Sequence, residues 1–198
     1  IPMAKSGKLE DLIEFAENPE PRCPCVLLLD TSGSMEGAPI EALNRGLQTL
    51  RSDLTSDALA ARRVEVAIVT FDSDVRTIQD FITADRFAPP VLTAGGFTHM
   101  GTGIHEALNL IDNRKVQYRA NGVAYYRPWV FMVTDGEPKG DTEEVLRQAA
   151  GRIEEEETQK RVAFFAVGVQ DANMKCLRSL AVRAPVQLEG LNFAEMFL

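Results

Sequence analysis

Apolar residues along the chain follow two alternating rhythms. Residues 25–30, 64–71, 129–134 and 162–169 are nearly unbroken runs of Val, Leu, Ile and Phe, the pattern of parallel strands buried on both faces. Between them hydrophobic residues recur at helical spacing. Ile40, Leu43, Leu47, Leu50 and Leu54 trace one face of a helix starting at Pro39, a residue suited to the N1 position. Ile104, Ala107, Leu108 and Ile111 do the same for residues 101–114. Val145, Ala149 and Ile153 form the face of a third helix, with Asp141 as its cap and Glu144 reaching back. Shorter helices are expected at 174–180 and 192–198, and a weak strand at 186–188.

Residues 75–81 break the pattern. They are polar-rich and follow the tight turn Asp72-Ser73-Asp74, so they read as an antiparallel edge strand. Strand and helix in alternation predict an α/β fold. Its sheet is doubly wound and mostly parallel, with one antiparallel edge strand and helices on both faces. Such sheets carry their working loops at the carboxyl ends of the strands. Ahead of this body, Leu9, Leu12, Ile13 and Ala16 mark a short amphipathic helix and 18–24 a proline-interrupted connector. Residues 1–24 are therefore read as an N-terminal extension and 25–198 as one domain. Ile1 is not an initiator, so 1–7 are set aside as a possible tag remnant, and the apolar ending 193–198 leaves room for a larger parent protein.

With 198 residues the chain can bury a core that needs no disulfide or structural metal. Lys and Arg number 21 against 29 Asp and Glu, a formal charge of −8, which repels polyanions and argues against nucleic acid as a partner. Cys23, Cys25 and Cys176 are odd in number and lack the CxxC spacing, so reduced thiols and a cytoplasmic location are expected. No apolar run approaches the ~20 residues of a membrane span, and no secretory leader is evident. Oligomeric state is not encoded in any visible pattern.

The chemistry concentrates in three segments. Asp30, Ser32 and Ser34 present oxygen groups at alternate positions just after the first strand. Thr134-Asp135-Gly136 places Asp135 at the same sheet edge, and the glycine-loosened 93–98 delivers Thr98 ahead of a helix. Small oxygen donors without obligatory nitrogen or sulfur favour a hard cation. Mg2+ suits short Ser, Thr and Asp side chains best, with Mn2+ or Ca2+ as substitutes.

D-x-S-x-S followed by a distant Thr and a distant Asp, set in alternating β and α elements, resembles the von Willebrand factor A domain and its metal-ion-dependent adhesion site. The matching residues are Asp30, Ser32, Ser34, Thr98 and Asp135. The resemblance implies strand order 3-2-1-4-5-6. It also implies that Ser32, Ser34 and, with ligand bound, Thr98 touch the metal, while Asp30 and Asp135 act largely through water. A partner's Asp or Glu carboxylate would then complete the coordination. The segments CPCVLLLDTSGSM, YYRPWVFMVTDGEP and AVGV further resemble the bacterial TerY or YegL type, associated with tellurium-resistance and stress gene clusters.

Other readings compete. A haloacid dehalogenase-type phosphatase shares the topology, but its second Asp is replaced by Ser32. No P-loop or G-x-S-x-G elbow is present. His99 is either a rim residue or an exposed loop histidine. Each Ser, Thr or Asp alone could be a cap or turn residue. The acidic run 154–157 reads as a solvated helix face, with Glu156 spaced for Lys160 and Glu157 for Arg161. Residues 116–128 read as a long connection at the amino end of the sheet. Tyr118, Arg119, Tyr125, Tyr126 and Arg127 there are of types enriched at interfaces, so a metal-independent scaffold surface is a third possibility. Trp129 is expected to pack at the strand start. The preferred expectation is a non-catalytic, Mg2+-dependent protein-binding module.

Overall fold

A computed structural model describes residues 9–188. In chain order the elements are α1 (Leu9–Glu17), β1 (Cys23–Asp30), a 3-10 turn (Gly33–Met35), α2 (Ala38–Ser56), α3 (Ala58–Arg63), β2 (Val64–Phe71), β3 (Val75–Thr83) and α4 (Met100–Ala120). There follow β4 (Trp129–Thr134), α5 (Glu143–Thr158), β5 (Ala163–Gly168), α6 (Met174–Leu180) and β6 (Val186–Gln187). The helix expected at 192–198 lies outside the described residues.

The six strands form a sheet in the order β3-β2-β1-β4-β5-β6. Only β3 runs antiparallel, paired to β2 with register shifts around Ile68. Alternation along β1 shows why the apolar runs are continuous. Val26 and Leu28 face a core shared with Ile104, Leu108 and Ile111 of α4 and Ile153 of α5. Leu27 and Leu29 face the other core, with Leu43, Leu47 and Leu50 of α2. Burying both faces needs a hydrophobic residue at every position of a central strand. The fold class and strand order match the sequence reading. Among the described residues, no helix is long and apolar enough to cross a membrane.

Register brings the chemistry together. Asp30 pairs with Phe71 of β2, and Leu29 pairs with Val133 of β4, so Asp30 and Thr134 leave the sheet at one edge.

Several local expectations are corrected. Helix α2 begins one residue earlier, with Ala38 before Pro39 and Gly37 as its cap. Thr142, rather than Asp141, caps α5 by accepting from Val145 N. Asp141 serves another helix: it accepts from Gly101 N and the Thr102 hydroxyl at the start of α4, at 2.5 and 2.7 Å. Glu156 and Glu157 are buried. Glu156 bonds Arg161 at 2.8 Å, while Glu157 bonds Arg127 and Arg183, each at 2.7 Å, instead of the expected neighbours. Trp129, by contrast, packs at the strand start as expected, 44% exposed and edge-on to Phe131 and Phe165.

The largest correction concerns 116–128. Helix α4 runs on to Ala120, and the following segment pairs with the chain just ahead of β1. There Arg22 N donates to Ala124 O at 2.9 Å and Tyr126 N to Arg22 O at 2.8 Å. Tyr118 is fully buried, its phenol donating to Glu65. Glu65 is also fully buried and binds Arg22 Nε at 2.9 Å and Arg114 Nη2 at 2.8 Å. Phe15 of α1 closes this cluster, edge-on to Tyr118 and beneath the guanidinium groups of Arg22 and Arg114. Tyr118 thus belongs to the interior and is withdrawn as a partner contact.

Candidate metal centre

The site grows from the end of β1. Asp30 is fully buried. Its Oδ1 accepts from Ser32 N at 2.9 Å, and its Oδ2 accepts from the Thr134 hydroxyl at 2.7 Å. Burial pushes this carboxyl up to about 6. Hydrogen bonds from Ser32 and Thr134 oppose the rise, and the nearby charge of Asp135 adds to it. A carboxylate so enclosed gains when a cation offsets its charge.

Ser32 and Ser34 flank the start of the 3-10 turn, which closes through Met35 N to Ser32 O at 3.0 Å. Met35 is fully buried and anchors it. The turn leaves Ser32 inside and Ser34 exposed, with their hydroxyl oxygens 3.1 Å apart. That spacing is a hydrogen bond between the two hydroxyls, which holds their oxygens side by side.

The 93–98 loop is stitched to this turn by its backbone. Gly33 N donates to Gly96 O at 3.0 Å, and Gly95 N to Thr31 O at 2.8 Å. Gly96 has φ +83°, and a Cβ there would fall 2.4 Å from the Ser73 hydroxyl, so only glycine fits. Thr98 is buried, and its hydroxyl makes no hydrogen bond among the described residues. Next to it Phe97 is 64% exposed, an apolar side chain on the rim. His99 is half-buried, with Nδ1 2.8 Å from Asp72 O.

Asp135 is half-buried on the third loop. Its Oδ1 accepts from Glu137 N at 3.2 Å and its carbonyl accepts from Asn173 N at 2.9 Å. Gly140 N donates to Thr98 O at 3.0 Å, joining this loop to the second.

The structure thus gathers the three predicted segments at one sheet edge. Direct side-chain contact is seen within the Ser32–Ser34 pair, while Asp30 bonds the Ser32 backbone. Thr98 is linked through backbone bonds and Asp135 through its charge on Asp30. Among the described residues there is no group of three or more His, Cys, Asp or Glu side chains placed to hold a metal. The donor set is mixed, two carboxylates and three hydroxyls, and suits a hard divalent ion better than a soft one.

Two supporting residues were missed by sequence reasoning. Thr134 orients Asp30 and also accepts from Gly136 N at 3.0 Å. Asp72 accepts from the Thr31 hydroxyl at 2.9 Å and from His99 N at 3.1 Å, bracing both loops. The only signal for Thr134 was its place before Asp135, and for Asp72 its place opening a turn.

Of the proposed second contact set, Tyr126 is 51% exposed, Tyr125 stacks on buried Tyr118 at 5.1 Å, and Arg127 is tied to Glu157. These three remain at the surface end of the molecule opposite Asp30.

A profile of the von Willebrand factor type A domain matches residues 25–194. No curated protein sequence matches the chain at a significant level. Among solved structures, a von Willebrand factor type A protein from Catenulispora acidiphila superposes with TM-score 0.66 at 20% identity, covering 89% of this chain and 41% of its own. The pilus adhesin SpaC from Lactobacillus rhamnosus GG, in an open conformation, gives 0.69 at 13% identity, covering 90% and 29%. Proximal thread matrix protein 1 from the mussel byssus, solved with a zinc-occupied MIDAS motif, gives 0.61 at 16% identity, covering 90% and 46%. The chain spans less than half the length of each of these three. With fold, strand order and the profile match in agreement, the chain belongs to the von Willebrand factor type A domain family.

Proposed function

We propose that the chain is a non-catalytic protein-binding module whose partner is captured through a divalent cation, Mg2+ by preference. Asp30, Ser32, Ser34, Thr98 and Asp135 would hold the ion. When bound, the cation supplies an electrophilic coordination position for an Asp or Glu carboxylate of the partner. The observation that carries the reading is the 3.1 Å separation of the Ser32 and Ser34 hydroxyls beside a buried carboxylate. Neutral hydroxyls nearest the ion would leave its charge largely unspent, so a protein of net charge −8 can still bind an acidic group. Asp30 is held in position by Thr134 and the Ser32 amide, the Thr98 hydroxyl, without a hydrogen bond among the described residues, is a further donor, and exposed Phe97 offers an apolar contact at the rim. The zinc-occupied motif of the mussel relative supports a divalent ion at this place in the fold. The segments that resemble the TerY or YegL type support a bacterial tellurium-resistance or stress-response setting, in the cytoplasm, as the module's context.

Calorimetric titration with MgCl2 tests the reading. Heat of binding by the intact chain that disappears in Asp30→Ala and in a Ser32→Ala, Ser34→Ala double variant is expected. Equal absence of heat in all three would end it, and turnover of a phosphate ester lost in Asp30→Asn would replace it with an enzyme.

A further inference from the structure

At the end of the sheet opposite Asp30, the last turns of α4 and α5 and the segment entering β4 enclose an open groove of about 630 Å³. Lys115, Arg119, Arg127, Lys160 and Arg161 line it with Tyr125, against the carboxylates of Asp112 and Glu156. On a chain of charge −8 this is a local reversal of sign. Part of it is structural. Arg161 bonds Glu155 and Glu156, Arg127 bonds Glu157, and cations beside helix C-termini offset the dipole.

Among the described residues, three cations of the groove are left without a carboxylate in contact. Buried Lys115 donates to the Arg161 carbonyl at 3.0 Å, and Arg119 reaches the Tyr125 hydroxyl at 3.3 Å. Lys160, held at φ 55° in the turn after α5, has an exposed side chain with no hydrogen bond or ion pair among the described residues. Arg127 Nε is buried without an acceptor among the described residues, a donor in the wall that is costly to leave unpaired.

We propose that this groove is a docking site for an acidic peptide segment of a protein partner. Its carboxylates meet Lys115, Arg119 and Lys160, and an apolar side chain rests on Val116, 58% exposed, beside Tyr125 and Pro128. The cations converge across a cleft between two helix ends instead of spreading over an open face. Screening confines their field to within roughly 8 Å at physiological salt, so a narrow chain inside the groove feels them. A duplex or bilayer would extend beyond the groove over a chain whose net charge is −8. This site is independent of the metal centre, since it is formed at the other end of the strands by other residues.

The test uses the whole chain in EDTA, which removes the metal centre from the measurement. Fluorescence anisotropy of a labelled Glu-Glu-Leu-Glu-Glu peptide is compared with its Gln-for-Glu counterpart, for the intact chain and for Arg119→Glu with Lys160→Glu. Binding of the acidic peptide alone, weakened about tenfold or more by the double reversal and progressively by NaCl, is expected. An unchanged thermal melt shows the variant to be folded, and if it is not, Lys160→Gln alone carries the test with a smaller loss. Equal binding of both peptides, no binding by the intact chain, or indifference to the substitutions would overturn the proposal. So would tighter binding of an oligothymidine or of anionic phosphatidylserine vesicles that the same reversal abolishes.

Discussion

Thr134 donates its hydroxyl to Asp30 across the β1–β4 boundary at 2.7 Å, joining residues 104 positions apart. The bond satisfies one carboxylate oxygen while the Ser32 amide satisfies the other. Thr134→Val preserves shape and removes that donor. Because partners that orient a ligand are typically worth about 10- to 100-fold in metal affinity, Mg2+ binding is expected to weaken about tenfold while the fold persists. Calorimetry alongside circular dichroism measures both, and unaltered affinity would show the bond to be incidental.

Acidity should act in opposite senses on the metal-free and metal-bound protein. The Asp30 carboxyl, pushed up to about 6 by burial, binds a proton more tightly folded than unfolded. Its contribution to stability is thus fully present below the unfolded value near 4 and is lost as pH rises through 6. The difference is about 2 pH units, or about 3 kcal/mol. Melting of the metal-free chain between pH 4 and 7, compared with Asp30→Asn, should reveal a downward slope that the variant lacks. Metal affinity should fall below pH 6, where the site is protonated. A flat affinity profile from pH 5 to 7 would contradict this.

At the other end of β2, Glu65 holds Arg22, Arg114 and the Tyr118 phenol with no exposure of its own. Glu65→Ala strands two buried cations, and removing one partner of a buried pair costs about 3–5 kcal/mol. Urea unfolding should show a loss of that order, with Mg2+ affinity of the folded fraction unchanged because the candidate metal site lies at the opposite end of the strands.

Gly96→Ala combines a left-handed backbone with a methyl placed 2.4 Å from the Ser73 hydroxyl. Strain of about 1–3 kcal/mol is expected, relieved by displacing the loop that carries Thr98. The signature is a drop in Mg2+ affinity larger than the drop in melting temperature suggests. Gly122→Ala, also at positive φ but in open space, is the control and should leave Mg2+ affinity untouched.

The sheet was legible in the sequence because its central strands are buried on both faces, which writes an unbroken apolar run. The segments of the candidate metal site were legible because D-x-S-x-S and T-D-G sit where strands end. What was not legible depends on residues far apart in the chain. Glu65 meets Arg22 across 43 positions and Arg114 across 49, so a charged residue inside β2 gave no local sign of its partners. The same cluster holds the polar last turns of α4 in a helix, where the pattern suggested a loop. Asp141 shows the limit of capping rules: its fitness to cap is local, but which helix it caps is decided by packing.

That last contact has a mechanical meaning. Asp141 follows Asp135 on one loop and grips the first turn of α4, which begins directly after Thr98 and His99, so the carboxylate bearing Asp135 and the hydroxyl of Thr98 are harnessed to a common strap. Gly140 N bound to Thr98 O adds a second tie, and Thr142 continues directly into α5 as its cap, so the two loops and two helix starts at the mouth of the site are braced as one unit.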